Sequence, residues 1–168
     1  MKKLMFVILA AIFALPIVGF SQVDCSNFLA DRKAEPPYKI NSMSKSAVCV
    51  SGHKYEFVVP LQKGYEYRII FFASSVFNNK INFKIVDLNT GETVLDLPGE
   101  SETNDKGTAA LASYYDEKLN TEVHPYFDFI PQTTTNFKII IDVEPQEDLI
   151  KGCVAVMILD KESEEGGF

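Results

Sequence analysis

From Ser46 onward the chain is written in short runs of β-branched and aromatic residues, separated by turn-forming residues every 8 to 15 positions. That rhythm leaves little room for helices of ordinary length and is the signature of a β-sandwich or barrel. Residues 54–59 alternate, with Tyr55, Phe57 and Val59 on one face and Lys54 and Glu56 on the other. After the turn Gln62-Lys63-Gly64, a strand over residues 65–73 places Tyr65, Tyr67, Ile69 and Phe71 on one face. Its other face begins with Glu66 and Arg68 and finishes with Ile70 and Phe72, so the strand is expected to start half exposed and end buried on both sides.

Further strands are predicted over residues 80–86, 92–97, 108–115, 126–130, 136–143 and 152–159, for eight or nine in all. Asp87-Leu88-Asn89-Thr90-Gly91 supplies the Asn and Gly of a tight hairpin between two of them. Pro125, Pro131 and Pro145 punctuate the later gaps. Residues 152–159 do not alternate, which predicts cover on both faces. No self-similarity with a period of tens of residues is visible, which argues against propellers and solenoids. The expected fold is an all-β antiparallel β-sandwich, jelly-roll-like, of about eight strands spanning residues 46–161. Ahead of it, residues 22–45 form an N-terminal extension with one helical stretch over 26–34, capped by Ser26 and ended by Glu35-Pro36-Pro37. Residues 162–168 are an acidic tail, and the chain is expected to fray from Asp160.

Residues 1–21 have the three parts of a secretory signal: Lys2 and Lys3, an apolar run over 4–18, and Gly19-Phe20-Ser21 with small residues where a signal peptidase cuts. The apolar run spans roughly 22 Å as a helix, short of a hydrocarbon core of about 30 Å. Asp24 beside Cys25 spoils the small-residue box of a lipoprotein. The expectation is a cleaved signal helix and a soluble product, periplasmic or secreted, that is not an integral membrane protein. Without Lys2 and Lys3, 14 basic residues face 23 acidic ones, a net charge of −9. Such a surface repels phosphate, so nucleic acid and anionic membranes are poor partners.

Export makes the three cysteines informative, because thiols outside the cytoplasm meet oxidising conditions. One disulfide and one spare thiol is the simplest outcome for Cys25, Cys49 and Cys153, and the sequence does not settle which two pair. The preferred pairing is Cys49 with Cys153, since both lie in strand-like runs near opposite ends of the domain.

Catalytic chemistry finds little to work with. The two histidines, His53 and His124, sit in no nucleophile–base motif, and no Gly-x-Ser-x-Gly elbow occurs. Asp128 and Asp142 fall on neighbouring predicted strands, but each alternates outward between apolar neighbours rather than toward a shared cleft. Zinc is disfavoured by the wide spacing of the cysteines. No cofactor is required. Calcium is the one possible ion, and Glu100, Glu102, Asn104 and Asp105 are the oxygens that would hold it. The loop is not an EF-hand, since counting back from Gly107 puts Lys106 where an oxygen ligand is needed. The acidic turn Glu144-Pro145-Gln146-Glu147-Asp148 is a weaker second place for calcium. For a glycan, Tyr114, Tyr115 and Tyr126 are the candidate surface aromatics.

Two segments carry a resemblance. Leu61-Gln62-Lys63-Gly64-Tyr65-Glu66-Tyr67 and Tyr126-Phe127-Asp128-Phe129-Ile130-Pro131-Gln132-Thr133, continuing to Ile139, resemble the pre-peptidase C-terminal type of jelly roll. That family pairs a Leu-x-x-Gly-x-x-Tyr strand start with a later Phe-x-Pro-x-Thr-x-x-Tyr strand. Here Phe137, one position beyond that spacing, stands in for the usual Tyr, and the preceding Gly is lacking. The resemblance covers roughly residues 46–161 and implies a non-catalytic module of the kind appended to secreted enzymes. The functional expectation is a secreted or periplasmic binding module, not an enzyme, whose partner is an envelope or extracellular protein, a glycan or calcium. The rival is a small secreted hydrolase using His124 with nearby carboxylates.

Overall fold

The structure, a computed structural model, describes residues 23–78, 80–97, 114–116, 121–123 and 126–163. Its described strands are β1 (Lys39–Ile40), β2 (Lys45–Val50), β3 (Lys54–Leu61), β4 (Tyr65–Ser74), β5 (Ile81–Asp87) and β6 (Thr93–Leu97). They continue with β7 (Tyr114–Asp116), β8 (Thr121–Val123), β9 (Phe127–Phe129), β10 (Thr135–Val143) and β11 (Lys151–Glu162). All described pairings are antiparallel, in two sheets. The first has the order β1-β11-β4-β8-β7, with β2 also on β11 and β9 also on β4; the second has the order β3-β10-β5-β6. The β-sandwich read from the alternation is therefore what forms.

Several of these strands are really halves of longer ones. β1 and β2 lie end to end along β11, Ile40 opposite Leu159 and Lys45 opposite Val156. The Ser44 hydroxyl bridges the break, donating to the Ile158 carbonyl at 3.1 Å and accepting the Ile158 N–H at 2.9 Å. β9 and β8 share β4 in the same way, Phe129 opposite Tyr67 and Val123 opposite Phe72.

The interior forms because inward positions of both sheets are large and apolar. Phe71 of β4 stacks on Phe83 of β5 with ring centroids 4.4 Å apart, joining the two layers. Phe137 packs with Phe129 at 4.6 Å and Phe127 at 6.4 Å. The hairpin between β5 and β6 closes as expected: Gly91, at φ +73°, takes the left-handed position that a side chain would resist. Asp87 donates to the Glu92 carbonyl at 2.8 Å and its carboxylate accepts the Asn89 N–H at 2.8 Å. Gly152 has a different reason to lack a side chain, since a Cβ there would lie 2.6 Å from Val76 and 2.9 Å from Phe77 of the short 3-10 turn Ser75–Phe77.

The non-alternating run over residues 152–159 is buried throughout, as its composition required. What buries its outer side is the N-terminal segment. Phe28, Leu29, Ala34 and Tyr38 pack against Phe72, Ala155, Met157 and Leu159 on the outer face of the first sheet, and the Arg32 guanidinium lies 4.3 Å from the Phe72 ring centroid. The expected helix over 26–34 does not form. Phe28 N–H donates to Cys25, Ala30 to Asn27 and Arg32 to Leu29, a chain of three-residue turns with no helical ladder. So short a segment is marginal as a helix, and laying its apolar residues on a flat sheet is worth more than helical hydrogen bonds. The extension also contributes β1, and β11 runs on to Glu162, so residues 160–162 are paired rather than frayed.

The disulfide joins Cys25 to Cys153, closing 128 positions, and Cys49 is the free thiol. The expected Cys49–Cys153 bridge is corrected by register. Cys49 does lie on the strand beside Cys153, but its direct partner is Gly152. One residue of offset puts the two sulfurs on opposite faces of the sheet, Cys49 in the interior and Cys153 under the N-terminal segment. Among the described residues no helix is long and apolar enough to cross a membrane.

Candidate functional site

The turn from β3 to β4 is built by three residues acting together. Leu61 is fully buried, Gly64 sits at φ +91°, and the Tyr67 hydroxyl reaches back to accept the Gln62 N–H at 2.9 Å. This turn, the start of β1, the end of β9 and the end of β11 converge at one end of the sandwich around an open cleft of about 1070 Å³. Its apolar side includes Pro37, Met43, Tyr65 and Ile130. Its polar side includes Asn41, Gln62, Glu66, Asp160 and Glu162, with Lys39 and Lys161 as the bases.

Four of these polar groups are held in place. Lys161 and Glu66, opposite each other on β11 and β4, form an ion pair of 2.9 Å, and Tyr38 donates its hydroxyl to the other Glu66 oxygen. Asn41 donates to Asp160 and accepts the Met43 N–H at 2.9 Å. Beside the cleft, Arg68 makes a bidentate contact with Asp128 at 2.7 and 2.8 Å. Its guanidinium lies 4.1 Å from the Tyr126 ring centroid and 4.8 Å from that of Tyr38, while the Lys161 ammonium lies 5.0 Å from the Tyr38 ring centroid. Rings and cations thus support one another across the outer face of the first sheet.

The titration of these groups follows from the packing. Burial works against ionising Glu66, but hydrogen bonds from Tyr38 and Lys161 and the charges of Lys161 and Arg68 outweigh it and hold the carboxyl below its ordinary range. Burial, the Glu66 hydrogen bond and the Asp128 charge push the Tyr38 phenol up, against the pull of Arg68. The hydrogen bonds to Asp128 raise Arg68 against its desolvation. All three therefore keep their ordinary charge at neutral pH. Burial pushes the Cys49 thiol up to about 11, so the free cysteine is a protonated interior side chain and not a nucleophile.

The residues singled out from sequence are scattered. Tyr126 is half-buried with one ring face covered by Arg68, so that face is no open platform. Tyr114 and Tyr115 fall on β7, paired with β8, and their side chains lie outside the described residues. Glu100, Glu102, Asn104, Asp105 and His124 also lie outside the described residues. Among the described residues no group of three or more His, Cys, Asp or Glu side chains could hold a metal ion. His53 lies at the far end of β3 from the cleft, with Nδ1 3.1 Å from the Ser51 carbonyl oxygen. Asp128 and Asp142 do not share neighbouring strands of one sheet: they sit on opposite outer faces, paired with Arg68 and with Lys54 at 2.9 Å.

The cleft itself was missed by the sequence reading. Half its lining comes from the extension and the tail, segments without strand-like patterning, and only the turn motif around Gly64 pointed toward it. No family model matches this chain, and no curated protein matches it either.

Proposed function

We propose that this chain is an extracytoplasmic β-sandwich module that acts by binding through its end cleft and performs no chemistry of its own. The observation that carries the reading is the cleft. Its volume of about 1070 Å³ lies just above the usual range for ligand sites, and four of its polar side chains, Glu66, Lys161, Asn41 and Asp160, are fixed by ion pairs and hydrogen bonds before any ligand arrives. The Cys25–Cys153 disulfide supports a location outside the cytoplasm, periplasmic or secreted, where such bonds persist. The resemblance to pre-peptidase C-terminal domains belongs to the same reading. The turn that carries its first motif, Leu61, Gly64 and Tyr67, brings Gln62, Tyr65 and Tyr67 to the lining of the cleft.

Calorimetric melting of the exported protein against calcium, peptides and oligosaccharides tests the reading, because a ligand that binds only the folded state must raise the Tm. Wild type is expected to shift and a Gln62→Ala, Glu162→Ala double variant, altered at two exposed lining positions, to shift far less. An equal shift in both proteins would place the binding elsewhere and contradict the reading.

A further inference from the structure

Resting on the cleft as the binding surface, we propose that its ligand is a neutral oligosaccharide. The polar lining is chiefly carboxylate and carboxamide: Glu66, Asp160, Glu162, Asn41 and Gln62. These planar groups are suited to the paired hydroxyls of a sugar. An ionised carboxylate has about four acceptor sites. Glu66 spends one contact per oxygen on Tyr38 and Lys161, and Asp160 spends one on Asn41, so each keeps acceptors for a ligand while its orientation is already set. In the same lining, the half-buried Tyr65 ring, tilted at 6.2 Å against Tyr67, and the side chains of Met43 and Ile130 supply the apolar surface that meets the C–H face of a pyranose.

Charge and backbone argue against the other occupants. Three lining carboxylates face two lysines, and Lys161 is already paired with Glu66, so the open surface is acidic on a chain that is itself acidic. A sulfated or uronic-acid glycan would be repelled. An extended peptide would need a free strand edge, yet the edge strand β3 carries Pro60 one residue before its end at the cleft, Pro37 also lines the cleft, and neither has an N–H to donate. β1 offers only the two residues Lys39–Ile40.

Amide chemical-shift mapping on the full exported protein distinguishes these possibilities. The probes are neutral gluco-, manno-, xylo- and chito-oligosaccharides, a sulfated and a uronate oligosaccharide, extended peptides and calcium. The expected result is that at least one neutral oligosaccharide perturbs residues 39–43, 62–67 and 160–163, with affinity falling at least tenfold in Gln62→Ala and in Glu162→Ala. Lys54→Ala, on the opposite sheet, leaves it unchanged. Perturbation of the cleft only by a peptide, an anionic glycan or calcium overturns the sugar assignment while the cleft remains the binding surface. Should no probe perturb the cleft, or should neutral sugars perturb another surface, both the assignment and the reading beneath it fail.

Discussion

β10 and β11 are the central strands of their sheets, and they are buried in opposite styles. β10 alternates from Thr135 to Val143, its inward side chains buried and its outward ones half-buried or exposed. β11 is buried without a break from Gly152 to Leu159. Both present an inner face to the same core, Phe137, Ile139 and Ile141 from one and Val154, Val156 and Ile158 from the other. The difference lies outside. The outer face of β10 meets water and carries surface ion pairs such as Lys138–Glu56 at 3.5 Å and Asp142–Lys54 at 2.9 Å. The outer face of β11 is roofed by residues 25–38, which hold no regular structure and stay in place because of what they touch. A segment without secondary structure can thus complete a core, provided a covalent bond and a few anchoring contacts hold its ends.

The strongest way to break this contrast is to cut the anchor. Cys25→Ser should cost about 4–5 kcal/mol in urea denaturation, the scale for releasing a closed loop of more than 100 residues, and should raise amide exchange over residues 26–38 before it touches β10. A loss below about 1 kcal/mol would mean that the roof stays on without its bond. Next in size, Phe72→Ala should cost about 3 kcal/mol in the native background. In the Cys25→Ser background it should cost at least 1 kcal/mol less, because the cover it packs against has already loosened; Phe71→Ala, facing the other sheet, should cost the same in both. Additive effects for both phenylalanines would remove the coupling between roof and disulfide.

Ion pairs on the two outer faces sharpen the same comparison on a smaller scale. Arg68→Met breaks a half-buried bidentate pair lodged between two rings and should cost about 1–2 kcal/mol. Lys54→Met removes an exposed, solvent-screened pair from the second sheet and should move the urea midpoint far less than Arg68→Met does. Acid should likewise reach the first sheet through Glu66. Its carboxyl titrates below its unfolded value, so its contribution is complete above about pH 4.3 and disappears as pH falls through the lower folded value. Urea midpoints measured from pH 6 down to 3 should therefore fall less steeply for Glu66→Gln than for wild type. An identical slope would remove the role given to this carboxylate.

The same contrast explains what could be read in advance. Alternation made β3, the first half of β4 and β10 legible, and the Asn and Gly of residues 87–91 marked their hairpin, because each signal is local. The unbroken apolar run of β11 announced a second cover without naming it. Residues 26–34 carry apolar side chains at a spacing compatible with a helix, and only the presence of a flat apolar sheet face decides otherwise. The disulfide was hidden for a related reason: proximity of β2 to β11 is suggested by pattern, but which face each sulfur takes depends on a one-residue register that no local signal sets. The cleft is less legible still. It gathers Asn41, Gln62, Glu66 and Asp160 from three separate parts of the chain, each of them an unremarkable polar residue until the ends of the strands are brought together.

Mass-spectrometric mapping of the non-reduced protein, recovered after export, is the most direct test of the anchored roof. It should find a single cross-linked peptide pair containing Cys25 and Cys153, with Cys49 alkylated only after denaturation. A bridge that includes Cys49, or three freely alkylated thiols in the native protein, would contradict it.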